Sequence, residues 1–189
     1  MLVDLSKFSN SWYSPGRNSI VRMAWHIVSS LLFQSSLIHN SSLKALVLRF
    51  FGSKIGEGVV FKPSIIIKYP WNFEIGNHSW VGEGVWLDTL APIKIGSNCC
   101  ISQGTYLCTG NHDWSDPAFG LFVKPIIIED GAWIGAKAII LPGVTLATHS
   151  VVAAGAVISK NTLPYTIYAG NPAVPVKSRV VAEQGKRLK

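Results

Sequence analysis

Aliphatic side chains recur at every sixth position in the second half of the chain. They occupy Ile128, Ile134, Ile140, Leu146, Val152 and Ile158. Two upstream runs with the same step, separated by a slip of two residues, are Ile75, Val81 and Leu87, then Ile95, Ile101 and Leu107. A helix would repeat its apolar face every three to four residues and a single strand every two. Neither element therefore explains a step of six.

A second set of positions supports the same repeat. Four residues after Ile55, and after each aliphatic position named above except Leu107, the side chain is small or β-branched, at Val59, Ser79, Val85, Ala91, Cys99, Thr105, Ala132, Ala138, Val144, Ser150, Ala156 and Thr162. Short strands joined by tight corners explain both sets, because the aliphatic side chain fills a coil and the small one fits where the coil narrows. A doubly wound sheet would need helical patterns of ten or more residues between strands, and residues 55–162 contain none. The pattern predicts an all-β fold, a parallel β-solenoid.

The chain divides into three segments around this repeat. Residues 1–54 form an N-terminal capping segment, residues 55–163 the solenoid, and residues 164–189 a short C-terminal tail. Within residues 17–51, apolar side chains at helical spacing predict one or two amphipathic helices that cover an end of the stack. The same segment also fits a basic amphipathic surface resting on a membrane.

Composition and charge narrow the class of protein. Hydrophobic residues make up 48% and charged residues 14% of the chain, which excludes a disordered protein. The net charge of +7 divides into +5 over residues 1–54, −2 over 55–176 and +4 over 177–189. A nucleic-acid-binding protein would carry its basic residues along one face of the folded body, so we expect no nucleic-acid partner.

Cysteine usage and hydropathy indicate where the protein works. The three cysteines, Cys99, Cys100 and Cys108, show no metal-binding spacing. The apolar stretch near the start of the chain is too short to span a bilayer, and no signal-peptide cleavage site follows it. We expect a reduced, cytoplasmic protein, with the inner face of the membrane as its one candidate membrane contact.

One break in the repeat is the candidate site of chemistry. Residues 108–127 form an excursion of twenty residues between two regular coils, and a loop of that length in a compact domain is usually functional. It contains His112, whose imidazole can take a proton from a hydroxyl near neutral pH.

The remaining cysteine and histidine candidates are weaker. Cys108 is better explained by packing than by a role as nucleophile. His78, His112 and His149 lie 34 and 37 residues apart; alignment along one face stays open, but without a close pair no metal site is expected.

Several motifs along the chain are typical of a known family. They are Tyr69-Pro-Trp-Asn-Phe-Glu-Ile-Gly-Asn, Ala91-Pro-Ile-Lys-Ile-Gly-Ser-Asn, Ile101-Ser-Gln-Gly-Thr-Tyr-Leu-Cys-Thr-Gly-Asn-His-Asp-Trp, Lys124-Pro-Ile, Trp133-Ile-Gly-Ala-Lys-Ala, Leu141-Pro-Gly-Val and Ala169-Gly-Asn-Pro-Ala. Through them the chain resembles the hexapeptide-repeat acyltransferases, and among these the colanic acid or exopolysaccharide O-acetyltransferases related to the galactoside, maltose and nodulation enzymes. The resemblance implies a left-handed parallel β-helix, an exception to the usual handedness of parallel connections.

The resemblance also implies an active site. The family works as homotrimers that bind acetyl-CoA in the cleft between neighbouring solenoids. His112 matches the catalytic base, which deprotonates a sugar hydroxyl as that hydroxyl attacks the thioester directly. Asp88 lies near the family's acceptor-contacting carboxylates, and we expect Asn111 and Asp113, on either side of His112, to contact the acceptor as well.

Further positions match the family's residues around acetyl-CoA. The matched positions are Trp133 as an aromatic lining, the amide of Ala136 as donor to the thioester oxygen, Ala154 and Ser159 beside the pantetheine arm, and Lys160 and Lys177 near the nucleotide phosphates. Val174 departs from the family pattern, because related sugar acetyltransferases can carry an arginine there.

These observations predict an acetyl-CoA-dependent sugar O-acetyltransferase of surface polysaccharide biosynthesis, acting on a sugar or a lipid-linked oligosaccharide. Two alternatives stay open from the sequence. One is a metal-dependent hydratase resembling the γ-class carbonic anhydrases, and the other is a non-catalytic binding or scaffold module, because a fold does not determine a function.

Overall fold

The structure is a computed structural model that describes residues 2–181. The N-terminal segment contains a 3-10 turn (Leu5–Lys7), helix α1 (Ser19–Val28) with a π-helical turn at its end (Ser29–Phe33), and helix α2 (Ser41–Phe50). Both helices begin at an asparagine whose side chain accepts a backbone N–H of the first turn: Asn18 from Val21 at 3.0 Å and Asn40 from Leu43 at 2.9 Å. The sequence predicted one or two helices in this segment, and the structure contains two.

Nineteen short strands follow α2 in the described part of the chain. They are β1 (Lys54–Ile55), β2 (Val60–Phe61), β3 (Ile66–Ile67), β4 (Phe73–Ile75), β5 (Trp80–Val81), β6 (Trp86–Asp88), β7 (Ile93–Ile95), β8 (Cys100–Ile101), β9 (Tyr106–Cys108), β10 (Gly110–His112), β11 (Leu121–Val123), β12 (Ile126–Ile128), β13 (Trp133–Ile134), β14 (Ile139–Ile140), β15 (Thr145–Leu146), β16 (Val151–Val152), β17 (Val157–Ile158), β18 (Thr166–Gly170) and β19 (Ala173–Ser178).

Three parallel sheets form the sides of a solenoid of five full coils and part of a sixth. Sheet 1 runs β1-β4-β7-β12-β15, sheet 2 runs β2-β5-β8-β13-β16-β18, and sheet 3 runs β3-β6-β9-β14-β17. Equivalent residues pair in register, as Ile55, Ile75 and Ile95 do in sheet 1. We call the turn from sheet 1 to sheet 2 the first corner, that from sheet 2 to sheet 3 the second corner, and that from sheet 3 back to sheet 1 the third corner.

The aliphatic repeat forms the core of the solenoid. The six residues of the unbroken run, Ile128 to Ile158, are each at most 2% exposed. Small partners such as Ala138 and Ala156 are buried at the corners beside them. Burying each aliphatic side chain contributes about 1.5–3 kcal/mol, so the continuous column is the main stabilising feature. The solenoid prediction is confirmed.

Two aromatic side chains join the N-terminal helices to the first coil. Trp25 is buried, and its Nε1 donates to the Ile67 carbonyl at 2.9 Å, while Phe33 packs against its ring. Lys44 is also buried, with Nζ donating to the Lys62 carbonyl at 2.9 Å, and this burial lowers the pKa of its ammonium group. The helices thus cover the open edge of the stack on one side.

The other end of the solenoid is closed by an ordered ribbon. Strand β18 extends sheet 2, and β19 pairs with it antiparallel. The Arg179 guanidinium then donates to the Gly131 carbonyl at 2.7 Å and to the His149 carbonyl at 3.1 Å. The predicted tail is therefore structured as far as residue 181, and its residues 182–189 lie outside the described part of the chain.

Candidate active site

The irregular turns of three successive coils all occur at the third corner. The first coil contains a 3-10 turn (Pro70–Asn72), the second has two extra residues after Asp88, and the third contains the β10–β11 hairpin. Side chains tie the turns together: the Tyr69 amide donates to Thr89 Oγ1 at 2.7 Å and the Ala91 amide to Thr109 Oγ1 at 2.9 Å. Because the irregular turns of three successive coils stack on one another, the third corner is the place where the regular solenoid is interrupted.

The long excursion is an ordered hairpin rather than a free loop. His112 ends β10 and pairs with Leu121 of β11. The Asp116 carboxylate accepts the amides of Ala118 and Gly120 at 2.9 and 3.0 Å, which closes the turn. Asp113 accepts the Ser115 hydroxyl, and this hydrogen bond lowers the pKa of its exposed carboxyl. The catalytic candidate therefore lies on a supported strand.

The surroundings of His112 determine which ring nitrogen is free. Nδ1 lies 2.8 Å from the Phe119 carbonyl oxygen. Because a carbonyl only accepts hydrogen bonds, Nδ1 carries the proton, and Nε2 of the neutral ring keeps its lone pair. The Phe119 ring stacks on the imidazole at 4.6 Å between centroids with an 11° angle, and Phe8 packs against it at 5.6 Å. This geometry suits a general base acting through Nε2.

A cleft of about 470 Å³ adjoins His112, and the N-terminal segment forms part of its wall. The Asp4 amide donates to the Pro117 carbonyl at 2.8 Å, which attaches this segment to the hairpin. The Tyr13 hydroxyl donates to the Leu90 carbonyl at 2.9 Å, and burial raises the pKa of this phenol. Phe8 and Tyr13 both line the cleft, so residues far from His112 in sequence shape its access.

The three predicted acceptor-contacting residues have other partners in this chain. The buried Asp88 carboxylate lies 3.3 Å from Lys68 Nζ and 3.5 Å from the Tyr106 hydroxyl, although its Oδ1 is not aligned for a hydrogen bond. Asn111 Oδ1 accepts the His112 amide at 2.8 Å. Neither side chain lines the His112 cleft, and Asp113 faces a separate hollow on the hairpin.

The second corner brings together Ala136, matched to the thioester, and Ala154, one of the two positions matched to the pantetheine arm. Ala136 and Ala154 lie in adjacent coils, with the Gly155 amide donating to the Ala136 carbonyl at 2.8 Å. The amides of Ala136 and Ala154 meet no acceptor in the described residues. A methyl group at Gly155 would meet no atom within 4 Å. This corner therefore offers outward N–H groups beside open space, which fits the carbonyl oxygens of a thioester and a pantetheine arm.

The remaining donor-site residues lie on other sides of the solenoid. Trp133 is 48% exposed on sheet 2, with its indole Nε1 donating to Ser102 Oγ at 3.0 Å. Lys177 lies on β19 at the edge of the same sheet, whereas Ser159 and Lys160 follow β17 at the third corner. Together with Ala136 and Ala154, these positions are spread over one sheet and two corners of a single chain.

The histidines and cysteines fall into separate places. His78 and His149 lie at the first corner, in the left-handed backbone region with φ of 55° and 56°, whereas His112 is on the hairpin. The described residues contain no group of three or more His, Cys, Asp or Glu able to hold a metal ion. Cys108 donates its thiol to the Gly110 carbonyl at 2.9 Å, which favours the predicted packing role.

The chain is similar to known acetyltransferases over nearly its whole length. A family model described as bacterial transferase hexapeptide (six repeats) matches residues 125–160. The putative colanic acid biosynthesis acetyltransferase WcaF of Escherichia coli (strain K12) is 39% identical over 180 residues, which cover 95% of this chain and 99% of that protein. The chain belongs to the hexapeptide-repeat acetyltransferase family.

Two further relatives agree with this membership. The galactoside O-acetyltransferase of Escherichia coli (strain K12) is 26% identical over 166 residues, covering 85% of this chain and 79% of that protein. A hexapeptide-repeat acetyltransferase of Vibrio cholerae, VCA0836, was solved with acetyl coenzyme A; it is 28% identical with a TM-score of 0.76, covering 86% of this chain and 88% of that one. The predicted left-handed β-helix and the acetyltransferase class are confirmed.

Sequence reasoning missed the residues that surround His112 in space. Phe8, Tyr13 and Phe119 carry no motif of their own, and the first two lie about a hundred residues away along the chain. Tyr69 and Leu90 belong to the irregular turns, whose departure from the six-residue step is visible in the sequence. That irregularity is the one signal that points to the third corner.

Proposed function

We propose that this acetyltransferase moves an acetyl group from acetyl-CoA to a sugar hydroxyl in exopolysaccharide or surface polysaccharide biosynthesis, with His112 as general base. The observation that carries the proposal is the Nδ1 contact with the Phe119 carbonyl, because it leaves the Nε2 lone pair available. His112 Nε2 takes the hydroxyl proton while the sugar oxygen bonds to the acetyl carbonyl carbon. The carbon–sulfur bond then breaks, and the thiol of coenzyme A leaves with that proton.

The second corner supplies Ala136 and Ala154 to the donor site in this proposal, and sheet 2, β19 and the third corner supply its other residues. The free Ala136 amide donates to the acetyl oxygen as negative charge develops on it, which is the largest electrostatic contribution expected in acyl transfer. Ala154 and Ser159 contact the pantetheine arm, Trp133 lines the acetyl-CoA cleft between neighbouring solenoids, and the phosphates lie near Lys160 and Lys177. The last two side chains are cationic, as nucleotide phosphates require.

We infer that the working unit is a homotrimer. Within one chain, the second corner and the His112 hairpin lie on different parts of the solenoid, so a complete site requires a neighbouring copy. The hairpin extends away from the third corner, and Trp114 at its tip is 84% exposed. An apolar ring in that position suits packing against a second solenoid. Measuring the mass in solution tests this, and a monomer active at high dilution would contradict it.

We also propose that the protein is cytoplasmic and contacts the inner face of the membrane through α1 and α2. No helix in the described residues is long and apolar enough to cross a bilayer. Ile20, Met23, Ile27 and Leu31 form an exposed stripe along α1 and its π-helical turn, and Phe50 is exposed on α2. This surface lies in the segment with a charge of +5, which suits anionic lipid headgroups. Flotation with anionic vesicles tests this contact.

The decisive experiment compares the wild type with His112→Ala. We expect both proteins to bind acetyl-CoA in a calorimetric titration, and only the wild type to release thiol with candidate sugars. Loss of a general base lowers the rate by about 10²–10⁴-fold. His39→Ala is the matched control, because His39 is an exposed loop residue outside the cleft.

Two outcomes would overturn the proposal. Full activity of His112→Ala would remove His112 as the base. Absence of acetyl-CoA binding by the wild-type oligomer would favour a scaffold module, and bound zinc or iron together with hydratase activity would favour the metal-dependent alternative.

A further inference from the structure

The His112 cleft continues into two neighbouring hollows along α1. The cleft of about 470 Å³ adjoins a hollow of about 370 Å³ between α1 and sheet 3, and a third of about 310 Å³ on α1. All three share Arg22 and Tyr69, and Lys68 lines the first two. A groove therefore runs from the catalytic base past Lys68 to Arg22.

The charged side chains of this groove are predominantly basic. Arg22 forms no ion pair or side-chain hydrogen bond in the described residues. Lys68 pairs with Asp88 at 3.3 Å, but its own side chain remains 44% exposed while the carboxylate is 8% exposed. The carboxylate thus lies beneath the lysine, and the ammonium group faces the groove. Arg22 and Lys68, which lie on different elements, therefore both line the groove, and the Asp88 carboxylate lies behind Lys68.

The walls of the groove are aromatic. Tyr69 lines all three hollows, and Trp25 and Trp86 line the second. Trp86 is 42% exposed and stacks on Tyr106 at 4.5 Å. Aromatic faces suit the apolar faces of sugar rings, and a guanidinium together with a partly exposed ammonium group suits phosphate oxygens. The groove therefore combines surfaces for a sugar and for an anion.

We propose that the acceptor is a sugar joined to a diphosphate, with the sugar at His112 and the diphosphate at Lys68 and Arg22. This rests on the proposed acetyltransferase function and adds an anion subsite to it. A diphosphate carries more than one negative charge. It therefore matches a subsite with two cations better than a ligand with a single carboxylate group would. A nucleoside diphosphate and a lipid diphosphate present the same group to this subsite, so the experiment must distinguish those two sources.

The first test measures inorganic pyrophosphate binding with the donor site filled by saturating coenzyme A. We expect Arg22→Gln to weaken pyrophosphate binding about tenfold or more, because a charge-assisted contact is lost. Arg17→Gln is the matched control, since Arg17 is an exposed cation five residues earlier that lines none of the three hollows. Equal binding by both variants, or tighter binding of glucuronate than of pyrophosphate, would overturn the subsite.

The second test separates this subsite from the donor site. Titration of acetyl-CoA should give the same affinity for the wild type, Arg22→Gln and Arg17→Gln. If Arg22→Gln instead weakened acetyl-CoA binding, the cations would belong to the donor phosphates and the proposal would be wrong. Absence of acetyl-CoA binding in all three proteins would contradict the acetyltransferase function itself, which is a different result.

Steady-state kinetics then identify the source of the diphosphate. Sugars linked to a nucleoside diphosphate and to a short polyprenyl diphosphate are compared with the free sugars. Arg22→Gln should raise KM about tenfold for the phosphorylated acceptor with little change in kcat, and the source with the higher kcat/KM is assigned. Equal kcat/KM for free and phosphorylated sugars would contradict the proposal.

Discussion

The first and second corners of the solenoid have the same backbone path but treat their amide groups differently. At the first corner, the middle amide of each early coil is capped by the next coil: Glu57 by Asn77, Asn77 by Ser97 and Ser97 by Asp130, at 2.7–3.1 Å. At the second corner, the equivalent amides of Ala136 and Ala154 have no acceptor in the described residues. One corner closes the stack, and the other leaves donors facing outward.

This difference separates structural from functional positions in a repeating scaffold. Short polar side chains at the first corner satisfy the backbone and leave nothing for a ligand. Alanines at the second corner cannot do so, and their free amides are what a developing oxyanion requires. The third corner differs from both, because its extra residues build the His112 cleft.

Among the changes that test this comparison of corners, removing a single amide at the second corner has the largest expected effect. Ala136→Pro deletes the N–H proposed to donate to the acetyl oxygen, and kcat should fall about 100-fold or more. The fold should tolerate this change, because Pro63 already occupies the same place in the first coil and the preceding amides, of Lys62 and Gly135, make equivalent hydrogen bonds to Val81 and Val152. Thiol-release kinetics and thermal melting measure the two effects.

A matched variant one coil below isolates the chemistry from the backbone change. Gln103→Pro alters the same corner position, and we expect nearly wild-type kcat. If Gln103→Pro lost as much activity as Ala136→Pro, the effect would be a general distortion of the corner. If neither variant lost activity, the Ala136 amide would have no part in the reaction.

Adding a methyl group should affect the stability of the two corners unequally. Gly131 at the first corner and Gly155 at the second occupy the same position of the turn, both with φ of +70°. A Cβ at Gly131 would lie 2.7 Å from the His149 ring, whereas one at Gly155 would meet nothing within 4 Å. We expect Gly131→Ala to lower the free energy of unfolding by about 3 kcal/mol, because overpacking adds to the backbone strain. Gly155→Ala should cost about 1 kcal/mol through its φ of +70°. Urea unfolding compares them, and an equal loss would contradict the difference in packing.

The smallest expected effect is the loss of one cap at the first corner. Asp130→Ala removes the acceptor of the Ser97 amide, and the free energy of unfolding should fall by about 1 kcal/mol. Asp130→Asn keeps an acceptor oxygen and should lose less. Activity should stay at the wild-type level in both, since this corner lies outside the proposed site. A large fall in kcat would show that the two corners are not functionally distinct.

Much of the fold could be predicted because the repeat is local. The aliphatic positions from Ile128 to Ile158 are all buried as the six-residue step required, and residues 17–51 contain two helices. The tail proved more regular than its prolines suggested, because β18 finds an unpaired edge in β16 and β19 then pairs with β18. The local composition of the tail does not indicate that β16 leaves a strand edge free for pairing.

The site was less predictable than the fold. The long loop made His112 a candidate, but nothing in the pattern pointed to Phe8, Tyr13 or Arg22, because their places beside the cleft come from contacts between distant segments. Asp88 was expected to contact the acceptor, and in this chain its carboxylate lies beneath Lys68. Which side chains become neighbours across coils depends on how the coils stack, and the spacing of residues along the chain does not specify this.

The amino-acid sequence by itself determined the solenoid, its register and the place where the repeat breaks, because a buried column of side chains at constant spacing admits one regular coil. Only the tertiary structure decided which nitrogen of His112 is free, which corner leaves its amides without partners, and which cations border the cleft. These properties depend on hydrogen bonds and charges between segments far apart in the chain. Their energies are set by distance and burial in the folded molecule, and spacing along the sequence does not specify either.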